Sequence, residues 1–258
     1  MTLIDHRPRT VSVCMATYNG AKFIATQLES ILAQLGPTDE LIISDDSSSD
    51  ETLSIIESFA DSRIRILRGN TFRSAVYNFE NALSNAQGEV IMLSDQDDEW
   101  VEGWVELALR ELQTTDLIVC DAFMVNAYGE PWPVSNKIFA GERKRGVFRN
   151  YYRNGYVGCC CAFRRRVLDV ALPFPRNLPW HDWWIGLIAD ACFEARFIHD
   201  RMIRHRRHGG NASPTGGKSP YSLRRKIVMR WHLGRHLALR VIRTRLIAWS
   251  KRLTTSTV

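Results

Sequence analysis

The 258-residue sequence predicts an α/β protein: a mixed, mostly parallel sheet flanked by helices, with a basic helical extension at the C-terminus. Three observations carry this. Short β-rich apolar runs alternate with stretches whose apolar residues recur at helical spacing, the pattern of strand–helix–strand units around a covered sheet. Polar clusters follow directly on three of the runs, at Thr17–Gly20, Asp45–Asp50 and Asp95–Asp98. Charge is also uneven: after Asp200 the chain holds fifteen Lys and Arg and no acidic residue, leaving 19 basic against 28 acidic residues before it.

The elements follow in order. Residues 11–16 (VSVCMA) form a first strand that breaks at the turn signal Thr17-Tyr18-Asn19-Gly20. Phe23, Ile24, Leu28, Ile31, Leu32 and Leu35 then mark a helix stopped by Gly36-Pro37. Residues 40–44 are a second strand, 52–60 a short helix, and Ile64–Leu67 a third strand. Ala75, Val76, Phe79, Ala82, Leu83 and Ala86 make a one-faced helix that leads into a strand over 89–93. Residues 99–112 are expected to be helical, 117–122 and 157–163 strands, and 181–192 a helix. Between 127 and 156 the pattern is irregular and includes the basic run Arg143-Lys144-Arg145. The segment 208–220 is rich in Gly, Ser and Pro, hence a loop, and 221–253 is a basic helical stretch.

The six cysteines sit in apolar surroundings without the spacing of a disulfide framework, and are expected to be reduced and buried. The consecutive Cys159-Cys160-Cys161 point to alternate faces of a strand and suit core packing better than zinc. The N-terminal segment lacks the apolar stretch of a secretory signal, and no run of about 18 apolar residues occurs. A cytoplasmic location is therefore expected, extending to the inner face of the cell membrane as a peripheral protein.

Ligands of open α/β sheets bind outside the carboxyl ends of the strands, so the three polar clusters are expected to meet in one crevice. Several carboxylates in one crevice either bind a cation or shift their pKa values. Asp95 and Asp97, next to a strand and two residues apart, suit a hard divalent ion, Mg2+ or Mn2+, bridging a diphosphate. Asp98 fits that set equally well as it fits the N-terminus of a helix, where it would favour the dipole. Ser48-x-x-Glu51 reads as a capping box. Asp45 is placed to accept hydrogen bonds from a nucleobase or ribose, or to hold its own turn.

Val11-Ser12-Val13 through Thr17-Tyr18-Asn19-Gly20, the Ser44-Asp45-Asp46 cluster and Leu93-Ser94-Asp95-Gln96-Asp97-Asp98-Glu99-Trp100 resemble the family 2 glycosyltransferases of GT-A fold. Their Asp-x-Asp signature falls at Asp95 and Asp97. His181-Asp182-Trp183-Trp184 and Arg207-His208-Gly209-Gly210-Asn211 resemble motifs of the bacterial rhamnosyltransferase-like branch, extending the likeness to about residue 212. One departure is Ser47, where the family often has Gly. The resemblance implies a glycosyltransferase domain over residues 1–212, with a nucleotide-sugar half at about 10–125 and an acceptor half at about 126–212, followed by a tail over 213–258. It implies inverting transfer from a nucleoside-diphosphate sugar, with deoxythymidine-diphosphate rhamnose favoured, to a hydroxyl of a glycan or lipid-linked glycan in cell-surface polysaccharide synthesis. A non-catalytic nucleotide or glycan binder of the same fold, or a peripheral membrane adaptor, is the alternative.

In that resemblance Asp182 matches the general base, a carboxylate able to take the acceptor hydroxyl's proton, although a helix N-cap would also explain it. Thr17, Tyr18, Asn19, Asp45, Arg73 and Asp95 fall to the donor. Asp97 and His208 fall to the metal, where an imidazole suits Mn2+ better than Mg2+. His181 and Trp183 fall to the acceptor side, with core packing the competing explanation for the tryptophans. The tail sets Ile227, Trp231, Ile242, Trp249 and Leu253 on one side and basic residues elsewhere, with Arg235 and Arg245 intruding. It is expected either to lie on an anionic membrane surface or to pack on the acidic body. No nucleic-acid recognition motif is present, and no nucleic acid partner is expected.

Overall fold

Residues 11–17 pair on both sides, and this sets the frame of the molecule. In the computed structural model, which describes residues 10–132, 146–208 and 222–255, Val11–Thr17 (β1) runs parallel to Glu40–Asp45 (β2) and to Val90–Ser94 (β4). Ile64–Leu67 (β3) continues the sheet parallel to β2. Val11, Val13, Cys14 and Met15 are fully buried, because helices cover both faces of the sheet; a strand buried on both sides reads as an unbroken apolar run. Ile24–Leu32 (α1), Thr52–Ser58 (α2) and Ala75–Ser84 (α3) supply the crossovers, burying Ile24, Leu28 and Ile31, then Ile56, then Val76, Phe79 and Leu83.

The second half adds Cys161–Arg164 (β7), antiparallel to β4, then Leu117–Val125 (β6) and Ala195–Arg206 (β8), which lie parallel to one another. The two-residue Glu99–Trp100 (β5) closes the edge against β8. The eight-stranded order is β3-β2-β1-β4-β7-β6-β8-β5, a mixed and mostly parallel sheet as expected. Trp104–Glu111 (α4), Val147–Tyr152 (α5), Arg165–Ala171 (α6) and His181–Cys192 (α7) complete the body, and Leu223–Thr255 (α8) follows. All six cysteines are free, and all but Cys192 are buried.

Four expectations are corrected. The helix read over 99–112 starts only at Trp104, because Glu99–Trp100 pairs with β8 and Gly103 turns the chain with a φ of 86°. The strand read over 157–163 begins with a 3-10 turn at Gly158–Cys160. No capping box forms: α2 has no side-chain cap bond, and Asp50 rather than Ser48 accepts from the Thr52 N–H, at 3.1 Å. The irregular stretch 127–156 contains α5. Arg143-Lys144-Arg145 and Gly209–Asn211 lie outside the described residues. The 12-residue β8 has no counterpart in the sequence reading, since arginines and histidines interrupt its alternation.

Helix α8 packs on α7 and α5 through the buried Leu233 and Leu237. Gly234 permits that approach, for a Cβ there would lie 2.7 Å from the Tyr151 hydroxyl.

Candidate active site

The loops after β1, β2 and β4 meet at one end of the sheet and are tied together by side chains. Thr17 Oγ1 donates to Asp45 Oδ1 at 2.9 Å, and Ser48 donates to the same carboxylate from its N–H at 2.9 Å and its hydroxyl at 2.6 Å. Asp45 is thus buried and braces its own turn. In that turn Ser47 adopts a φ of 60°, so the left-handed conformation that the family serves with Gly is kept by a serine. Asp46 accepts from the backbone N–H groups of Phe72 and Ser74, gripping both flanks of the exposed Arg73, whose own φ is 50°. A non-glycine residue held in the left-handed region costs energy and persists only where its neighbours impose it, as they do here.

Tyr18 stands 58% exposed on the loop after β1. Gln96 fixes that loop: its Oε1 accepts from the Tyr18 N–H at 2.9 Å, and its Nε2 donates to the Tyr18 carbonyl at 3.0 Å. A Cβ at Gly20 would lie 2.4 Å from Gln96 Oε1, so glycine is what lets the two loops touch. Asn19, with a φ of 48°, accepts from the Ser49 N–H at 2.8 Å and donates its own N–H to Ser48 Oγ at 2.9 Å.

Beyond Gln96 the acidic run divides into two sets. Asp97 Oδ2 lies 2.7 Å from His208 Nε2 at the part-buried end of β8. Burial and the Asp98 charge push the Asp97 carboxyl up, while the His208 hydrogen bond pulls it down. That contact is a hydrogen bond, and a carboxylate beside an imidazole is also a donor pair of the kind that suits a cation such as Mn2+. The second set is Asp95, Asp98, Cys159 and His205, whose ligand atoms lie within 4.8 Å of one another. Within it Asp98 Oδ1 accepts from the Arg206 N–H at 2.9 Å and meets His205 Nδ1 at 2.9 Å, while His205 Nε2 is buried without a hydrogen-bond partner among the described residues. Burial works against both charges of that pair, yet Asp98 is held below the usual carboxylate range and His205 is raised to about 9 by its carboxylate partner. Burial and its cysteine neighbour raise Cys159, which keeps the thiol protonated and a poor ligand. Two groups on this loop thus offer donor atoms of the kind that hold a cation, Asp97 with His208 and the set around Asp98 and His205. Asp98 is no helix-terminal residue, since α4 starts six positions later.

Asp182 approaches from the other side, in the first turn of α7. Withdrawal from water raises its carboxyl to about 7 despite hydrogen bonds from the Trp183 N–H, Asn154 and the Gly158 N–H. It is not the N-cap: Trp180 takes that position. Burial chiefly, then the charges of Asp98 and Asp97 and last that of Asp182, raise the Asp95 carboxyl. His181 is buried, stacked on Phe79 at 4.0 Å, and lowered by burial to about 3, hence neutral. Trp183 is buried too, its indole N–H donating to the Asn150 carbonyl at 2.6 Å. Both form the wall behind Asp182 rather than an open surface.

Hydrogen bonds thus tie Thr17, Tyr18, Asn19 and Asp45 into one group of loops and Asp97 to His208, the charge of Asp182 reaches Asp95, and Arg73 is exposed on a neighbouring loop. Sequence reasoning missed Gln96, Asp46 and His205, whose partners lie far away in the chain: Gln96 reaches a loop 78 residues earlier and His205 pairs with a residue 107 positions before it.

A family model described as Glycosyl transferase family 2 matches residues 12–171. The chain is 40% identical over 213 residues to the dTDP-rhamnosyl transferase RfbG of Shigella flexneri, covering 76% of this chain and 72% of RfbG. It is 28% identical over 188 residues to the UDP-Glc:alpha-D-GlcNAc-diphosphoundecaprenol beta-1,3-glucosyltransferase WfgD of Escherichia coli, covering 70% of each. Among solved structures, S. aureus TarS 1-349 in complex with UDP-GlcNAc superposes with a TM-score of 0.67 at 19% identity, over 90% of this chain and 66% of that one. The mannosyltransferase PcManGT from Pyrobaculum calidifontis in complex with GDP-Man and Mn2+ gives 0.58 at 21% identity, over 78% and 57%. The chain therefore spans 66% and 57% of those two structures, and the likeness to them shows a shared GT-A fold.

Proposed function

The chain belongs to glycosyl transferase family 2, and on that premise we propose that it moves a sugar from a nucleoside-diphosphate donor to a hydroxyl of a lipid-linked glycan, with inversion, in cell-surface polysaccharide synthesis. The observation that supports this reading is the gathering on the loop after β4 of Asp97 with His208 and of Asp95 within reach of the Asp182 charge. In the proposal the nucleobase stacks on Tyr18 and is framed by Thr17, Asn19 and Asp45, Asp95 faces the donor sugar and ribose, and Arg73 reaches the phosphates. Asp97 and His208 hold Mg2+ or Mn2+. A bound cation supplies neutralisation of the charge that gathers on the leaving diphosphate. Asp182 takes the proton of the acceptor hydroxyl. The acceptor oxygen then bonds to the anomeric carbon as the bond from that carbon to the diphosphate oxygen breaks, its electron pair leaving with the diphosphate. His181 and Trp183 keep Asp182 oriented and shielded from water. The catalytic domain in this reading is residues 1–212, with 213–258 appended.

Deoxythymidine-diphosphate rhamnose is the donor we propose, supported by the 40% identity to RfbG. The lipid-linked acceptor, and work at the inner face of the cell membrane, are supported by the diphosphoundecaprenol acceptor in the name of WfgD. No helix among the described residues is long and apolar enough to cross a membrane. Thermal stabilisation by a panel of nucleotide sugars, each with Mn2+ and with a chelator, tests the donor. Metal-dependent stabilisation by dTDP-rhamnose above all others is expected. Preference for a uridine-linked hexose would overturn the sugar, and binding without turnover of any donor would favour a non-catalytic binder.

A further inference from the structure

Helix α8 has two faces, and the body uses only one. Leu233 and Leu237 are buried against α7 and α5, and Arg240 caps the carbonyls of Val170 and Leu172 at 2.6 Å each. On the opposite side Ile227, Trp231, Ile242, Leu246 and Trp249 recur at spacings of 4, 11, 4 and 3 residues, which keeps them on one stripe of the helix. All five are exposed, Trp231 by 61% and Trp249 by 62%. Single exposed apolar residues are ordinary, but five aligned along one side of a helix, even with Arg235 and Arg245 among them, mark an interaction surface.

Charge identifies the occupant. Ten Lys and Arg and no acidic residue lie between Leu223 and Thr255. Arg235 sits within the apolar stripe, its guanidinium 5.6 Å from the Trp231 ring centre, and Arg245 falls on the same side by helical spacing. A second copy of this helix would bring like charges together on a shared apolar seam, which opposes pairing. An anionic lipid surface matches both features: tryptophans favour the headgroup boundary, and interspersed arginines extend to the phosphates while their stems lie along apolar surface.

We propose that the exposed Ile227–Trp249 stripe of α8 seats this protein on an anionic bilayer, lying in the plane of the headgroups. The inference rests on the proposed lipid-linked acceptor for its purpose, since α8 packs directly on α7, the helix that carries Asp182, and would hold the base end of the crevice at a fixed position relative to the membrane. Its test does not depend on the acceptor.

The experiment is flotation of the full chain with vesicles of phosphatidylcholine alone or mixed equally with phosphatidylglycerol. Partition onto the mixed vesicles only, weakened by added salt, is expected. The double variant W231E/W249E should lower that partition by at least about tenfold, while keeping the wild-type Tm and metal-dependent donor binding. Equal partition of the variant, or no partition of the wild type, would overturn the proposal. So would dimers of the wild type that the variant dissolves, since the stripe would then face a second copy. Donor binding is read separately, so loss of donor binding in the wild type would count against the glycosyltransferase reading and not against the membrane surface.

Discussion

At Asp182 the surrounding core does two things at once. It fixes the carboxylate in the first turn of α7 and, by removing water, raises its pKa to about 7. A base must be deprotonated to act, so kcat/KM for transfer is expected to fall as pH drops through about 7, as measured over a pH series. Stability has the opposite sign. A raised folded value means that burial of this group costs nothing below the ordinary carboxylate range, and that the cost grows as pH rises toward 7. Asp182→Asn should therefore lose transfer by about a hundredfold to ten-thousandfold with donor affinity nearly unchanged, and should melt higher than the wild type at pH 8. Unchanged transfer by that variant would remove the base assignment. Gln96 is a positioning residue of a different kind. Its two hydrogen bonds to the Tyr18 backbone, at about 1 kcal/mol each, hold the donor loop, so Gln96→Ala is expected to weaken donor binding by about ten- to thirtyfold in calorimetry, without loss of fold. The position of Asp97 on the loop after β4 was legible from its place after an apolar strand. The role of Gln96 was not, because an amide between acidic residues gives no sign of the loop it will meet.

At the scale of elements, β8 matters most to the site, for it carries His205, and two residues past its end His208, to the loop after β4. His205 faces Asp98 inside the protein, and neither charge has water to fall back on. Removing one partner of a buried pair costs about 3–5 kcal/mol. His205→Ala is expected to lower the Tm by about 6–20 °C in calorimetry at neutral pH, and a change within about 1 °C would show the pair to be unimportant. The parallel half of the sheet was legible because strands buried on both faces are plainly apolar. Strand β8 was hidden, since Arg196, Arg201 and Arg204 break its pattern and its pairing with β6 is 78 residues away at the start. The split of 99–112 was hidden for a related reason: Glu99 and Trp100 join a strand only because β8 arrives beside them. Conversely α7, with His181–Cys192 almost wholly apolar after its first two residues, was read with its limits intact.

For the molecule as a whole, the uneven charge of the sequence becomes an acidic body carrying a basic helix on one flank. Of the two arrangements expected of the tail, packing on the body is the one seen, and it runs through Leu233 and Leu237, not through the apolar side that the sequence singled out. Leu233→Ala should cost about 2–5 kcal/mol, seen as a lower denaturant midpoint; no shift would mean that the helix is not docked in solution. Sequence pattern showed that three polar loops share one end of a sheet, but which carboxylates face the cation and which pair internally depends on contacts over a hundred residues apart. The division between Asp97 with His208 and Asp98 with His205 is the centre of the functional reading. It is tested most directly by titrating a nucleoside diphosphate into the wild type and into Asp97→Asn, each with Mn2+ and with chelator. The wild type is expected to bind at least about tenfold tighter with Mn2+, a difference of 1.4 kcal/mol, and Asp97→Asn to lose that dependence. Equal binding by the wild type in chelator, or full Mn2+ dependence in Asp97→Asn, would contradict it.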